Sequence, residues 1–299
     1  MASGNMKTIK RRIKSVGSTM QITKAMELVA SSKLRRAKKK ARKARPYFDA
    51  QYRMLTEILQ SHSIDTEFTR ERKKSGCCLH IVIAGDRGLA GGYNSGMFKL
   101  VASEYVQLGN EKSACSRIIA IGKKSVEHFE KRNYNVISKY IGLAENVKSG
   151  HCSDIANAAI QQFLSGEVDE VKLFYTKFVS SMAQEAVCLP LLPVKSCQIG
   201  LHMSDCNGEV VHDIPKEITY DPNPQAVFNR LVPCFLTSII QCAITDSYTS
   251  EQCARRIAME NASENAEEMI ENLSLLYNRA RQEKITNEIN EIVGGANAL

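Results

Sequence analysis

The sequence predicts an α/β domain inserted between two long helices that pair with each other as an antiparallel coiled coil. Three observations carry this. A Pro-poor N-terminal stretch holds apolar residues at alternating three- and four-residue spacing. The middle of the chain alternates strand-like and helix-like runs. The last quarter repeats apolar residues every four positions almost to its end.

The N-terminal helix is expected over residues 1–60. It is rich in Lys, Arg, Ala, Met and Leu, which favour helix, and has no Pro before Pro46. Ile9, Ile13, Val16 and Met20 form its stripe, and Ile22, Met26 and Val29 continue it with an offset. The α/β domain is expected over residues 76–196. Its strands are 77–84, 117–122, 135–143, 170–178 and 185–194, and its helices lie near 95–108, 123–133 and 154–166. Strand–helix alternation of this kind gives a mainly parallel sheet with helices on its faces. Residues 197–221 lose all periodicity and read as a connecting loop or hairpin.

The C-terminal helix is expected over 222–299, interrupted only by Pro233. Roughly 75 helical residues span about 110 Å, more than the diameter of a domain of this size, so such a helix needs a long partner along its length. The N-terminal helix is the one candidate in the chain. The C-terminal helix is the longer and must protrude past its partner. Its last stretch, IVGGANAL, carries no charged side chain, as expected of a tip enclosed by another protein.

Charge is unevenly distributed. The chain carries +8 overall, but residues 1–45 hold 15 Lys and Arg against the single acid Glu27, so the body that follows is mildly acidic. A basic arm of this kind seeks nucleic acid, anionic lipid or acidic protein loops. No run of eighteen apolar residues marks a membrane span, and the N-terminus lacks the apolar core of a secretory signal. Ten cysteines without a C-x-x-C pair or a signal read as reduced thiols, with Cys77, Cys78, Cys188, Cys234 and Cys242 serving as small core hydrophobes.

Three features bear on chemistry. GDRGLAGG (85–92) sits between a strand and a helix, where phosphate loops occur, but matches neither G-x-G-x-x-G nor a Walker pattern. Glycines for a tight turn account for it better. Cys197, His202, Cys206 and His212 are of zinc-binding type without finger spacing. The run Lys33–Arg45, nine basic residues in thirteen, fits either nucleic acid or a face set against acidic protein loops; it lacks the interleaved aromatics that stack on bases. No nucleophile–base set or paired carboxylates can be assembled from neighbouring motifs.

Four stretches carry a resemblance. These are IKRRIKSVGSTMQITKAMELVASSKLRRA (9–37) with ARPY (44–47), GDRGLAGGYN (85–94), YDPNPQAVF (220–228), and the C-terminal ENASENAEEMIENLSLLYNRARQEKITNEINEIVGGANAL (260–299). Together they resemble the gamma subunit of bacterial F-type ATP synthases. The resemblance implies a coiled coil with a Rossmann-like domain at its foot. It implies a non-catalytic rotor shaft inside a ring of three alpha and three beta subunits, with the foot on the epsilon subunit and the c-subunit ring. Proton or sodium flow would turn the foot and drive the catalytic beta subunits through their conformations. The location implied is peripheral, on the cytoplasmic side of the cell membrane, with no cofactor, no metal and no nucleic acid.

Residue by residue, the resemblance places contacts to beta at Met26, beside Lys24, and Lys33 on the first helix. On the last helix it places them at Arg281, Gln282, Thr286 and Glu288. It gives the run 33–45 acidic beta loops as partner and the tip 292–299 a hydrophobic sleeve. Ala90 stands where many members carry Cys, and Asn290 where Thr is frequent. The Cys197–Cys206 loop is shorter than the regulatory insert of chloroplast members. Two other readings compete: a basic coiled-coil nucleic-acid binder, which leaves the uncharged tip without a purpose, and a small enzyme within about residues 70–200, which lacks a phosphate loop.

Overall fold

The computed structural model describes residues 2–71, 76–194 and 218–296. Its elements are α1 (Ala2–Ser61), β1 (Cys78–Ile83), α2 (Tyr93–Cys115), β2 (Arg117–Ile121), α3 (Lys123–Glu130), β3 (Val136–Tyr140), α4 (Ser149–Leu164), β4 (Glu170–Phe178), β5 (Gln184–Leu192) and α5 (Pro224–Ala296). The fold class is the expected one: a mixed α/β sheet with long helices at both ends of the chain. The chain divides into two compact units, one made of Met1–Lys33 with Arg255–Leu299, the other of Leu34–Ala254. Most of the expected connecting loop, with Cys197, His202, Cys206 and His212, lies outside the described residues.

In the larger unit the sheet order is β3-β2-β1-β4-β5. β1 pairs in parallel with β2 and β4, β2 with β3, and only the β4–β5 pair is antiparallel. Alternate residues on each strand serve opposite faces. Leu79, Ile81, Ile83, Ile119, Val171 and Leu173 point to one side, onto Ile155, Ala159 and Phe163 of α4. That same core takes in Phe48, Leu55 and Ile58 of α1 and Phe228, Val232, Leu236, Ile240 and Ile244 of α5. Val82, Ile118, Ala120 and Phe174 point to the other side, onto Met97, Val101, Val126 and Phe129 of α2 and α3. Burial of apolar area on both faces of a parallel sheet explains its near-continuous apolar strands.

The first part of α5 is therefore a core element of the α/β unit. The expectation that only the N-terminal helix could partner α5 along its length is corrected: the sheet and α4 share that role in the larger unit. One stretch of α5 is long and apolar enough, by length and composition, to cross a membrane, and 44% of it is buried inside the fold.

In the smaller unit the two helical stretches show a heptad-like seam. Buried or half-buried positions on α1 run 6, 9, 13, 16, 20, 23, 27 and 30, alternating by three and four. The seam on α5 runs 259, 263, 266, 270, 273, 277, 280 and 284. The expected offset at Ile22 and Val29 does not occur. Thr23 and Ala30, 9% and 1% exposed, hold the register, while Ile22 and Val29 stand 61% and 56% exposed. Small residues had hidden the seam from a count of large apolar ones.

Across that seam the hydroxyls of Thr23 and Ser263 lie 2.7 Å apart. Thr23 Oγ1 is also 3.0 Å from the Met20 carbonyl, and Ser263 Oγ 2.9 Å from that of Met259. Each hydroxyl has one proton, so one donates across the seam while the other donates into its own helix.

Candidate functional site

Pro46 and Pro233 both sit inside continuous helices, so neither ends an element. Some surfaces are committed internally and others are left for partners.

The turn at 85–92 is committed. Gly85 N–H donates to Asn94 Oδ1 at 2.9 Å, and its carbonyl accepts from Lys124 N–H at 3.0 Å. Asp86 Oδ1 accepts from the backbone N–H groups of Lys123, at 2.9 Å, and Gly142, at 3.0 Å. A Cβ on Gly85 would lie 3.0 Å from the Glu251 carboxyl of α5. Gly122 has φ +95°, and a Cβ there would come within 2.0 Å of the Ala84 carbonyl oxygen, so only glycine fits. A phosphate cradle needs backbone donors aimed at solvent; those at 85, 123 and 142 already serve an amide and a carboxylate of this chain. The Gly-rich turn is a joint between the sheet and α5.

The basic run is partly committed too. Lys38 Nζ sits 4.6 Å from the centre of the Phe178 ring, a cation–π contact, and Lys40 Nζ donates to the Glu145 carbonyl at 3.3 Å. Leu34 and Ala37 are buried. Arg45 and Lys177 favour the charged form of Asp246, but burial dominates and pushes that carboxyl up to about 6. These groups border a cavity of about 860 Å³ whose walls include Phe48, Tyr175, Phe178 and Phe235. Lys33 is half-buried and the other eight cations of the run are exposed, so its charge stays available to an acidic partner.

The expectation of uniformly reduced cysteines is corrected at one place. Cys77, just before β1, forms a disulfide with Cys115 at the end of α2, 38 residues away, with a Cα–Cα distance of 5.4 Å. Cys78, Cys152, Cys188, Cys234, Cys242 and Cys253 are thiols, and Cys234 is exposed rather than in the core. Burial pushes the thiols of Cys78 and Cys152 up to about 11 and those of Cys188 and Cys242 up to about 12, so they act as small hydrophobes. Among the described residues no group of three or more His, Cys, Asp or Glu is arranged to hold a metal.

The contact residues named from the resemblance all lie on the smaller unit. Met26 and Lys33 are half-buried and Lys24 is exposed on α1; Arg281, Gln282, Thr286 and Glu288 are exposed on α5. Glu288 Oε1 takes Lys284 Nζ at 3.3 Å, one helical turn back, an exposed pair that a partner can displace at little cost. Sequence reasoning counted Ile22 and Val29 into the seam; they belong instead to a set of large apolar residues that face outward beside these positions. Ile22, Leu28 and Val29 on α1, and Leu275, Leu276, Ile285, Ile289, Ile292 and Val293 on α5, are all exposed. The signal that finds them is an apolar residue falling off the three–four seam. Bulky apolar groups concentrated in this way mark contact with another protein.

Comparison with known proteins bears on the whole chain. A family model described as ATP synthase matches residues 5–299. An ATP synthase gamma chain of Ruminococcus albus is 48% identical over 288 residues, covering 96% of each chain. A sodium-ion-specific ATP synthase gamma chain of Acetobacterium woodii is 38% identical over 99% of each. Among solved structures, a chain of the Euglena gracilis mitochondrial ATP synthase, in an assembly of OSCP, F1 and c-ring, has the same fold. Its TM-score is 0.64 at 18% identity, over 99% of this chain and 95% of that one. Sequence and fold agree over essentially the full length: the chain belongs to the ATP synthase gamma-chain family.

Proposed function

We propose that this chain is the central rotor shaft of an F-type ATP synthase, coupling ion-driven rotation of a c-subunit ring to conformational cycling of catalytic beta subunits. It is a non-catalytic subunit. The alpha and beta subunits form a ring of three each around its paired helices, and epsilon and the c ring attach to its α/β domain. It is held peripherally at the cytoplasmic side of the cell membrane through that ring. The observation that carries the reading is the exposed apolar set of the smaller unit, Ile22, Leu28, Val29 and Ile285 to Val293, on helices whose seam is already filled.

The shaft works by differential contact. A ligand, or a rotor face, shifts a conformational equilibrium only by the difference in its affinity for the two states. Arg281 and Gln282 offer several donors to a beta loop, Met26 adds an adaptable apolar contact, and Lys33, Thr286 and Glu288 complete the set. Exposed ion pairs such as Lys284–Glu288 are individually weak, as suits contacts that form and release at each step.

Native mass spectrometry after co-expression with the alpha and beta subunits of the same organism tests this. One copy of the chain per three of each is expected, with ATPase activity of the complex lost on deleting Arg281–Leu299. Partners that assemble and turn over without the chain would overturn the reading.

A further inference from the structure

In doubly wound sheets the crevice at the carboxyl ends of the strands, where the strand order reverses, is the usual ligand site. Here the reversal falls between β1 and β4. The β1–β4 ladder ends at Val82 and Phe174, while β4 continues to Phe178 against β5. Past that point β4 has lost its neighbour on the β1 side, and α5 takes the place. Ser247 Oγ accepts from the Thr176 N–H at 3.0 Å, and Ser250 Oγ–H donates to the Thr176 carbonyl at 3.3 Å. Thr176, Ser247 and Ser250 are 4%, 1% and 0% exposed, so water cannot replace either bond. Three residues apart, the two serines share one helix face.

From Phe228 to Ile244 α5 is held by apolar packing, which is non-directional, and beyond the serines Cys253 Sγ donates to the Ser181 carbonyl at 3.1 Å. Two directed bonds to the backbone of one strand residue resist both rotation and sliding. We propose that Ser247 and Ser250 are positioning residues of the rotor: by gripping Thr176 they set the angle of α5 on the sheet, so that twist passes between helix and α/β domain without slip. This rests on the rotor reading above. The Thr176 contact lies within the larger unit, close in the chain to Arg255, where the second segment of the smaller unit begins.

The test uses membrane vesicles carrying the complete complex, with ATP hydrolysis and ATP-driven proton or sodium uptake measured together. In Ser247→Ala/Ser250→Ala, ions moved per ATP should fall about threefold while hydrolysis changes by less than about twofold. Thr249→Val is the control. Thr249 is equally buried in the same turn, but its hydroxyl donates within the helix, to Thr245 at 2.8 Å, so its loss should leave the ratio unchanged. If the double variant does not assemble, Ser250→Ala, which removes only the longer bond, is read on the same ratio. A wild-type ratio in the serine variants, or an equal loss in Thr249→Val, overturns the proposal. Failure of the unmodified chain to join its ring would instead strike the rotor reading.

Discussion

One helix, α5, does two different jobs. Between Pro224 and Ala254 it is buried on several sides, with Phe228, Val232, Leu236, Ile240, Ile244, Ser247 and Ser250 at or near zero exposure. From Asn261 onward it buries little more than a single stripe, and beyond Ala266 the seam positions are only half-buried. Helix propensity favours the second stretch, rich in Glu, Ala, Leu and Arg, over the first, which holds Pro233 and many β-branched residues. The difference lies in how many sides are occupied, and it separates residues that hold the fold from residues available to a partner.

The largest effect should come from crossing that divide. Phe228→Ala, at a fully buried site, should destabilise the chain by about 3–5 kcal/mol in urea denaturation. Ile289→Ala, 54% exposed, should change stability by less than about 0.5 kcal/mol yet weaken assembly with the ring. Equal effects would erase the distinction.

A second test reads buried charge in the larger unit. His80 is fully buried in β1, with no hydrogen-bond partner for either ring nitrogen among the described residues, its ring edge-on to Tyr105 and Phe174. Burial, helped by Lys172, pushes its pKa down to about 3. Unfolding then takes up a proton between about pH 6.5 and 3, so this group's contribution is intact above 6.5 and is lost as pH falls. Asp246, held up to about 6, behaves oppositely: its contribution is present below its unfolded value of 3.8 and is lost as pH rises through 6. Each slope is about 1.4 kcal/mol per pH unit, and between pH 4 and 6 they cancel. His80→Phe should therefore leave stability falling with pH across that window, and Asp246→Asn should leave it rising. Denaturation midpoints at pH 4, 5 and 6 decide it.

The smallest effect concerns the paired stretch. Thr23→Val and Ser263→Ala should each cost about 1 kcal/mol, with a coupling of about 0.5–1 kcal/mol in a double-mutant cycle, because the 2.7 Å contact is shared. Full additivity would show that the hydroxyls do not act as a pair.

Most of the fold was legible because periodicity survives in single residues. EVKLFYTKF is β4 to the residue, and the alternation of strands and helices gave the parallel sheet. The α1 seam was misread where it passes through Thr23 and Ala30, since small residues fill a groove without advertising it. Cys77 and Cys115 could not be paired from spacing, because 38 residues separate them and α2 brings them together. Ser247 and Ser250 look like ordinary helix-interior polar residues until β4 is seen to outrun β1. The candidate contacts were found through resemblance; their apolar neighbours became visible only once the seam was known.

Those small seam residues also set a calibre. Thr23, Ala30, Ser263 and Ala266 are four of the five buried members of that seam, Met259 being the fifth, and axial spacing depends on side-chain size. A pair closed on threonine, serine and alanine is slimmer than one closed on leucine. A slim waist lets an axle keep bulky apolar ridges on its outside and still clear the bore in which it turns.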